Sequence, residues 1–275
     1  MSKMKKTKEK GSFGKRLLQV FGKIILGLFL FSIFIVLFYK FINPPISTMM
    51  LQRSYQQLVD KNRKVKIDED WTSLELISPY LINSIVAAED DLFFKHNGFN
   101  IDELKKSYKE TKKGKRTRGG STITMQTAKN LYLTDHRTYV RKGAEAYFTV
   151  LMEFFWSKER ILEVYLNIIE FGDGIYGCEA AAQHYFKKPA IRLTQREAAL
   201  LAACIPSPLK RNPAKPTRYI NSRASQIQTL AVRANPYGEW LKEKKAKEKK
   251  KAKEKAKEKK KETPKKKQKE KKKNG

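Results

Sequence analysis

The sequence is poor in the residues that bind metals or build disulfide frameworks. It has two cysteines and three histidines among 275 residues. His96, His136 and His184 lie too far apart for a zinc-binding pattern. Cys178 and Cys204 could pair in an oxidising compartment. However, Cys204 lies in an apolar helical segment and Cys178 in a glycine-rich turn, so we expect two small buried side chains.

Runs of alternating apolar and polar residues are also missing, as is any internal repeat. Acidic residues are scarce, with 28 Asp and Glu against 59 Lys and Arg and a formal net charge of +31. Residues 241–275 hold +14 of this charge and residues 1–23 hold +7, which leaves +10 on residues 24–240. Such an excess suits phosphate-bearing or anionic-lipid partners. No nucleic-acid motif is present, which argues against nucleic acid.

One long apolar segment is present, at residues 24–42. Only Lys40 interrupts it, near one end, where a lysine can reach the membrane interface. A helix of this length spans roughly 28 Å, one hydrocarbon core. Because Asn43-Pro44-Pro45 is a poor cleavage site, we expect an uncleaved anchor rather than a signal peptide. Residues 1–23 have eight Lys or Arg against one Glu, so we expect a cytoplasmic N-terminus and an extracytoplasmic domain.

Helix signals recur through the remainder of the chain. Ser78-Pro79 places an N-cap before a proline at the first helical position, and apolar residues at helical spacing follow as far as Glu89. Further predicted helix starts are Asn100 with Glu103, Ser121, residue 138, Ser157 and Thr194 with Glu197. These signals predict a mostly α fold.

The composition divides the chain into four parts. We expect a basic cytoplasmic leader at residues 1–23, a transmembrane anchor at residues 24–42, a globular domain at residues 43–240 and a tail at residues 241–275. The tail is rich in Lys and Glu and has no apolar face. We therefore expect it to be disordered and loosely attracted to anionic lipid or polymer.

Two segments hold most of the chemical information. Residues 89–98 read EDDLFFKHNG, with Glu89 at the end of an apolar helix pattern. Partial burial and the negative end of a helix both favour the protonated form of this carboxylate, which suits a general base. Residues 119–126 read GGSTITMQ, a glycine turn before a helix whose N-terminus is a natural anion site.

Together with three later motifs, these segments resemble the peptidoglycan glycosyltransferases, the polymerase family of class A penicillin-binding proteins and monofunctional transglycosylases. The later motifs are residues 141–145 (RKGAE), residues 158–167 (KERILEVYLN) and residues 172–186, which begin GDGIYG. The sequence departs from the family at Met125, where glutamine is usual, and at Lys187, where glycine is usual. We expect the first departure to remove a hydrogen bond and the second to alter a turn. No Lys-Thr-Gly follows any Ser-x-x-Lys string, so the resemblance implies a monofunctional enzyme.

The resemblance covers about residues 71–213 and implies a lysozyme-like helical fold. It implies that Glu89 deprotonates the 4-hydroxyl of lipid II, which attacks the lipid-linked growing glycan, releases undecaprenyl pyrophosphate and forms a β-1,4 bond. Glu145 corresponds to a second cleft carboxylate. The implied substrate-binding residues are Phe93, Ser121, Gln126, Lys129, Asn130, Arg137, Arg141 and Lys142. No cofactor is required, and a divalent cation at the pyrophosphate is left open. The expected partners are lipid II, the lipid-linked glycan, the membrane and other cell-wall synthesis proteins.

Several alternatives stay open at this point. A lytic glycosidase of similar fold would use a lone glutamate as an acid, but it has no pyrophosphate to hold with the basic second and third motifs. A membrane-tethered polycationic scaffold would act through its tail. Glu145 and Arg141 could form a plain i,i+4 ion pair. Residues 105–118 are strongly basic and could hold lipid phosphates or form a solvated loop.

Overall fold

The computed structural model describes residues 3–60, 62–113, 120–136 and 138–271, with side chains described between residues 14 and 254 of these ranges except at residue 111. The fold is mostly α, as the sequence predicted. The described helices are α1 (Lys3–Phe41), α2 (Thr48–Val59), α3 (Pro79–Glu89), α4 (Ile101–Lys112), α5 (Ile123–Tyr132), α6 (Tyr139–Phe155), α7 (Lys158–Ile168), α8 (Cys178–Phe186), α9 (Gln195–Cys204), α10 (Arg218–Ala234) and α11 (Pro236–Lys271).

A small sheet was not predicted from the sequence. Its strands are β1 (Asp68–Glu69), β2 (Glu170–Gly172) and β3 (Ile175–Tyr176), in the order β1-β3-β2. Strand β1 is parallel to β3, and β2 is antiparallel to it. Strands of two or three residues are too short to show a period of two, which explains why the alternation test missed them.

The chain divides into two compact units. Unit 1 comprises Met1–Leu74 and Asn97–Ala180, and unit 2 comprises Glu75–His96 and Ala181–Gly275. Unit 1 contains α1, α2, α4 to α7 and the sheet. Unit 2 contains α3, α9, α10 and α11, and helix α8 runs across the division.

In unit 1, helix α5 packs against α6 and α7, while α1 packs against α6. The indole Nε1 of Trp156 donates a 2.8 Å hydrogen bond to the carbonyl of Val36 in α1. The guanidinium of Arg160 donates to the carbonyls of Tyr39 and Ile42 at 2.8–3.1 Å. Because the last carbonyls of a helix lack intrahelical partners, Arg160 caps the C-terminal end of α1.

One segment of α1 is the only described helical segment that is long and apolar enough to cross a membrane. This stretch is Gly14–Phe41, with a mean hydropathy of 2.6 and mostly exposed side chains. It overlaps the predicted anchor at residues 24–42, and the helix ends one residue earlier than predicted.

In unit 2, helices α3, α9 and α10 pack against one another. Helix α3 begins at Pro79 as predicted, but Ser78 does not cap it through its side chain. The Ser78 hydroxyl instead donates a 3.0 Å hydrogen bond to the carbonyl of Leu193. The capping box of Thr194 and Glu197 at the start of α9 is confirmed.

The other predicted helix starts are correct within one residue. Asn100 Oδ1 accepts from the Glu103 amide at 3.1 Å, and Ser157 caps α7. Helix α5 is capped by Thr122 rather than by Ser121, since the Thr122 hydroxyl accepts from the Met125 amide at 3.2 Å.

The turn after α8 places a lysine in the left-handed conformation. Lys187 has φ of 56°, and its amide donates to the Gln183 carbonyl at 3.1 Å. Glycine adopts this conformation more easily, and the expected difference from the turn of the family stays a prediction.

Two expectations about the sequence ends and cysteines can be compared with the structure. Cys178 and Cys204 are both free and buried, as expected. Helix α11 continues through Lys271, in keeping with the high helix propensity of Lys, Glu and Ala. The disorder expected for residues 241–275 stays a prediction. The helix also begins before residue 240, so the predicted domain boundary falls inside it.

Candidate active site

Glu89 is the last residue of α3, in the position that the sequence predicted. Residues 81–88 of this helix are all buried, and Glu89 itself is half-buried. The apolar body of α3 therefore holds the final carboxylate at a defined place on unit 2.

The loop after Glu89 is braced by short contacts. Asp90 is buried and its Oδ1 lies 2.8 Å from His96 Nε2. The Phe93 amide donates to the Asp90 carbonyl at 3.0 Å. The Phe93 ring is fully buried and lies edge-on to Phe94, with ring centroids 4.9 Å apart. Its contact with substrate stays a prediction; in the structure the ring anchors the loop.

In unit 1, the third motif forms a buried ion-pair cluster. Glu145 is 2% exposed. Its Oε2 accepts from Arg141 Nη1 at 2.5 Å, and its Oε1 accepts from Lys142 Nζ. Lys142 Nζ also lies 3.5 Å from Ser121 Oγ, beside the start of α5. The i,i+4 ion pair between Arg141 and Glu145 is thus confirmed, and a second cation shares the same carboxylate.

Lys129 adds a third cation to this cluster. Burial lowers the pKa of Lys129; the field of Glu145 opposes this shift and that of Arg141 adds to it. Lys129 makes no ion pair within 4 Å in the part of the chain that the structure describes. Three cations around one carboxylate leave a surplus of positive charge, which is costly in a half-buried place without an anion.

Two buried polar atoms next to this cluster have no hydrogen-bond partner among the described residues. They are Asn130 Oδ1 and Arg141 Nε. Both belong to predicted substrate-binding residues, and buried polar atoms of this kind are uncommon in proteins. An anionic ligand could satisfy the guanidinium nitrogen, and a ligand hydroxyl could satisfy the amide oxygen.

The side chain of Gln126 is held from the neighbouring helix. The hydroxyl of the buried Tyr165, in α7, donates to Gln126 Oε1 at 3.1 Å. The sequence analysis did not assign a role to Tyr165, because its helical spacing is that of an ordinary core residue. Met125 is buried at 2% exposure, so methionine packs into the core at the position where the family has glutamine.

The last residue of the first motif, Gly98, must lack a Cβ atom. Gly98 has φ of 86°, and a Cβ added there would lie 2.7 Å from the Thr149 side chain and 2.9 Å from that of Glu153. The carbonyl of Gly98 accepts from the Thr122 hydroxyl at 2.6 Å. Glycine therefore lets the end of the first motif contact α6 and the start of α5 directly.

The predicted site residues thus fall into two groups. Ser121, Lys129, Arg141, Lys142 and Glu145 form one electrostatic cluster in unit 1. Gln126 and Asn130 lie on the same helix as Lys129, whereas Glu89 and Phe93 belong to unit 2. Arg137 and residues 114–119, part of the basic segment, lie outside the described residues, so their roles stay predictions.

Within the described ranges, no group of three or more His, Cys, Asp or Glu side chains is arranged to hold a metal ion. The cations of the unit 1 cluster could hold an anion.

Comparison with known proteins shows the family to which the chain belongs. The family model described as Transglycosylase matches residues 55–231. A Biosynthetic peptidoglycan transglycosylase of Aeromonas hydrophila subsp. hydrophila is 46% identical over 217 residues, which cover 79% of this chain and 91% of the relative. The proteins of the same name from Caulobacter vibrioides and Bacteroides thetaiotaomicron are 46% and 44% identical, covering 81% and 78% of this chain and 96% and 87% of the relatives.

These matches show that the chain is a glycosyltransferase with a mostly helical, lysozyme-like domain. It belongs to the transglycosylase family.

Proposed function

We propose that the chain polymerises the glycan strands of peptidoglycan. It transfers the lipid-linked growing glycan onto lipid II and releases undecaprenyl pyrophosphate. The observation that supports this reaction best is the surplus of positive charge around the buried Glu145, which pairs with Arg141 and Lys142 while Lys129 lies within its electrostatic field. Such a cluster suits a polyanionic leaving group.

In this proposal Glu89 is the general base. Its carboxylate takes the proton from the 4-hydroxyl of lipid II as the oxygen attacks the anomeric carbon of the donor. The bond from that carbon to the pyrophosphate oxygen breaks, and the electron pair leaves with the pyrophosphate. Attack from the opposite face converts an α-linked donor into a β-1,4 product. Support for Glu89 comes from its half-buried place at the end of the apolar helix α3.

The basic side chains stabilise charge rather than transfer protons. Pyrophosphate is already a fair leaving group, so the site must chiefly hold the negative charge that develops on it. Lys129 and Arg141 are suited to this role because both are partly buried, where electrostatic interactions are stronger than in water.

Glu145 acts as a positioning residue in this scheme. Its Oε2 is paired with Arg141 and its Oε1 with Lys142. A carboxylate with both oxygens paired to cations holds the two cations in fixed places. A lytic glycosidase would have no pyrophosphate to hold, and the charge surplus therefore favours the polymerase.

The membrane is the second element of the proposal. Helix α1 anchors the enzyme, with the N-terminus in the cytoplasm and the catalytic domain outside it. Its length and hydropathy support the anchor, and the basic residues 1–23 support the orientation. Keeping enzyme and lipid substrate in one two-dimensional phase raises their effective concentration. Lipid II is the proposed acceptor, and other cell-wall synthesis proteins are proposed partners.

Replacing the proposed base tests this function. The full-length Glu89→Gln variant, purified in detergent and supplied with lipid II, should lose about 10²-fold or more in turnover. Asp91→Asn is the matched control, since Asp91 is exposed two residues further on, and it should polymerise at the normal rate. Polymer is measured by gel separation of labelled glycan strands. Turnover within about threefold of wild type in Glu89→Gln, with an unchanged melting temperature, would exclude Glu89 as the base.

A further inference from the structure

Within unit 2, the first turns of helix α11 pack against α3. Its half-buried side chains include Tyr237, Trp240, Leu241 and Lys244, which recur at helical spacing on one face. From residue 245 to residue 254 every side chain is exposed. The first nine residues of α11 are therefore part of the folded unit, although the family match ends at residue 231.

The docked face of α11 holds the loop that follows Glu89. The ring of Trp240 stacks on Phe94, with centroids 4.8 Å apart and planes at 19°. Tyr237 lies beside both rings, 6.1 Å from Phe94 and 6.0 Å from Trp240. Lys244 Nζ lies 5.2 Å from the centre of the Trp240 ring on its outer side. Stacked aromatic pairs of this geometry stabilise a contact beyond the area that they bury.

Helix α11 also bonds directly to α3. The backbone amide of Tyr237 donates to Asn83 Oδ1 at 3.0 Å, and Asn83 Nδ2 donates to the carbonyl of Pro79 at 3.0 Å. Asn235, in the left-handed conformation with φ of 37°, reverses the chain between α10 and α11. The reversal brings the first turn of α11 against α3.

The contacts continue from Trp240 to the catalytic carboxylate. Phe94 packs edge-on against the buried Phe93, and the Phe93 amide bonds to the carbonyl of Asp90, the residue after Glu89. The helix that bears Glu89 and the loop that follows it are thus both held by α11.

We infer that Trp240, assisted by Tyr237, is a positioning residue for Glu89. This inference rests on the proposed role of Glu89 as the base. Trp240 does not contact the reacting atoms; it holds Phe94, and through Phe94 and Phe93 it holds the backbone at the end of α3. A general base acts only when it lies within hydrogen-bond reach of its proton, and a displacement of about 1 Å can cost up to 10²-fold in rate.

The first experiment measures how firmly Trp240 holds the loop after Glu89, and it does not depend on activity. Amide hydrogen exchange of the full-length Trp240→Ala variant should be faster in residues 90–96 than in wild type, because the Phe93–Asp90 hydrogen bond opens more often. Trp240→Phe keeps an aromatic ring and should restore slow exchange. Unchanged exchange in Trp240→Ala would overturn the brace, whatever the role of Glu89.

The second experiment links the brace to the chemistry. Trp240→Ala should lower kcat for lipid II polymerisation about 10-fold, with KM within about twofold, and Trp240→Phe should recover most of the loss. In the Glu89→Gln background, Trp240→Ala should lower kcat by less than about twofold, because a base that is absent cannot be misplaced. An equal cost in both backgrounds, or no cost in either, would overturn the positioning role.

A pair of truncations supplies the matched control. Ending the chain after residue 250 leaves the docked turns in place and should leave kcat within about twofold. Ending it after residue 235 removes the docked turns and should match Trp240→Ala or exceed its loss. Equal activity of the two truncated proteins would overturn the inference. If Glu89→Gln is itself fully active, the proposed base is wrong, and the hydrogen-exchange result still decides whether α11 braces the loop.

Discussion

The two compact units of the chain are stabilised by different kinds of contact. Among the described residues, unit 1 contains several buried or half-buried ion pairs, such as Arg53 with Glu170 at 2.7 Å and Arg141 with Glu145 at 2.5 Å. In unit 2, the buried side chains of helices α3, α9 and α10 are mainly apolar, and many of them are alanines. These are Ala87, Ala88, Ala198, Ala199, Ala202, Ala203, Ala224 and Ala231.

The difference shows what each unit contributes to the chemistry. Burying charge is expensive and is tolerated where the charges pair or where a ligand completes the site. Unit 1 accepts this cost, and its surplus of cations lies where we propose that an anion binds. In unit 2, the buried pair of Asp90 with His96 lies in the loop after α3, and the packed helices form an apolar frame that ends in the proposed base, Glu89. Four substitutions test this contrast.

The largest effect on stability is expected at Glu145. Glu145→Gln leaves Arg141 and Lys142 without their buried partner and should lower the free energy of unfolding by about 3–5 kcal/mol. Chemical denaturation in detergent measures the loss. Glu197→Gln is the matched control in unit 2, where the pair with Lys188 is partly exposed, and it should cost about 1 kcal/mol or less. Equal losses would mean that the two units do not differ in their dependence on charge.

Replacing Lys129 should reduce activity without reducing stability. Lys129→Met removes a desolvated cation, so the melting temperature should stay equal or rise, while kcat/KM for lipid II falls about 10- to 100-fold with the loss of charge-assisted contacts. Lys215→Met, at an exposed position, serves as the control. A loss of stability in Lys129→Met with unchanged kcat/KM would show that Lys129 is structural.

The pH dependence of the same variant follows from the lowered pKa of Lys129. A lysine whose folded pKa lies below its unfolded value opposes folding while it is charged, and this penalty disappears as the pH rises through the unfolded value of about 10.4. The stability difference between Lys129→Met and wild type should therefore shrink from neutral pH toward pH 10. A difference that grows with pH would contradict the direction of the shift.

A smaller effect is expected where Arg160 of α7 contacts the C-terminal end of α1. Arg160→Lys keeps the charge but loses the planar fork that reaches Tyr39, Ile42 and Glu163 together. We expect a loss of about 2 kcal/mol in the free energy of unfolding. Arg218→Lys, at an exposed position, should change it by less than about 0.5 kcal/mol. Equal values for the two variants would show that Arg160 does not hold α1.

The smallest effect should be a gain, in unit 2. Lys187→Gly relieves a left-handed backbone at φ of 56° and should raise the free energy of unfolding by about 0.5–1 kcal/mol. Lys187→Ala keeps a Cβ at the same position and should give no gain. If both variants gain equally, the cause is the lost lysine charge rather than the backbone.

Much of the site could be predicted from residue order alone. The capping signals and apolar spacing located α3, α6, α7 and α9, and they placed Glu89 at a helix end, because these features depend on neighbours within one or two turns. The apolar run at residues 24–42 and its basic flank predicted the candidate membrane helix for the same reason.

Other features depend on residues far apart in the chain, and only the tertiary structure decided them. Tyr165 reads as an ordinary core residue, and its bond to Gln126 exists because α7 packs on α5. The three strands are too short to be recognised until β1 and β2 pair with β3.

The two ends of the chain show most clearly which features composition determines and which depend on the tertiary structure. Composition determined that α1 is apolar enough for a membrane and that the tail is a highly charged segment, since hydropathy and charge are properties of the residues themselves. It could not determine that the charged helix begins with a docked turn. That turn is part of the fold because Trp240 meets Phe94, 146 positions earlier in the sequence, and a contact between distant residues is decided only when the chain has folded.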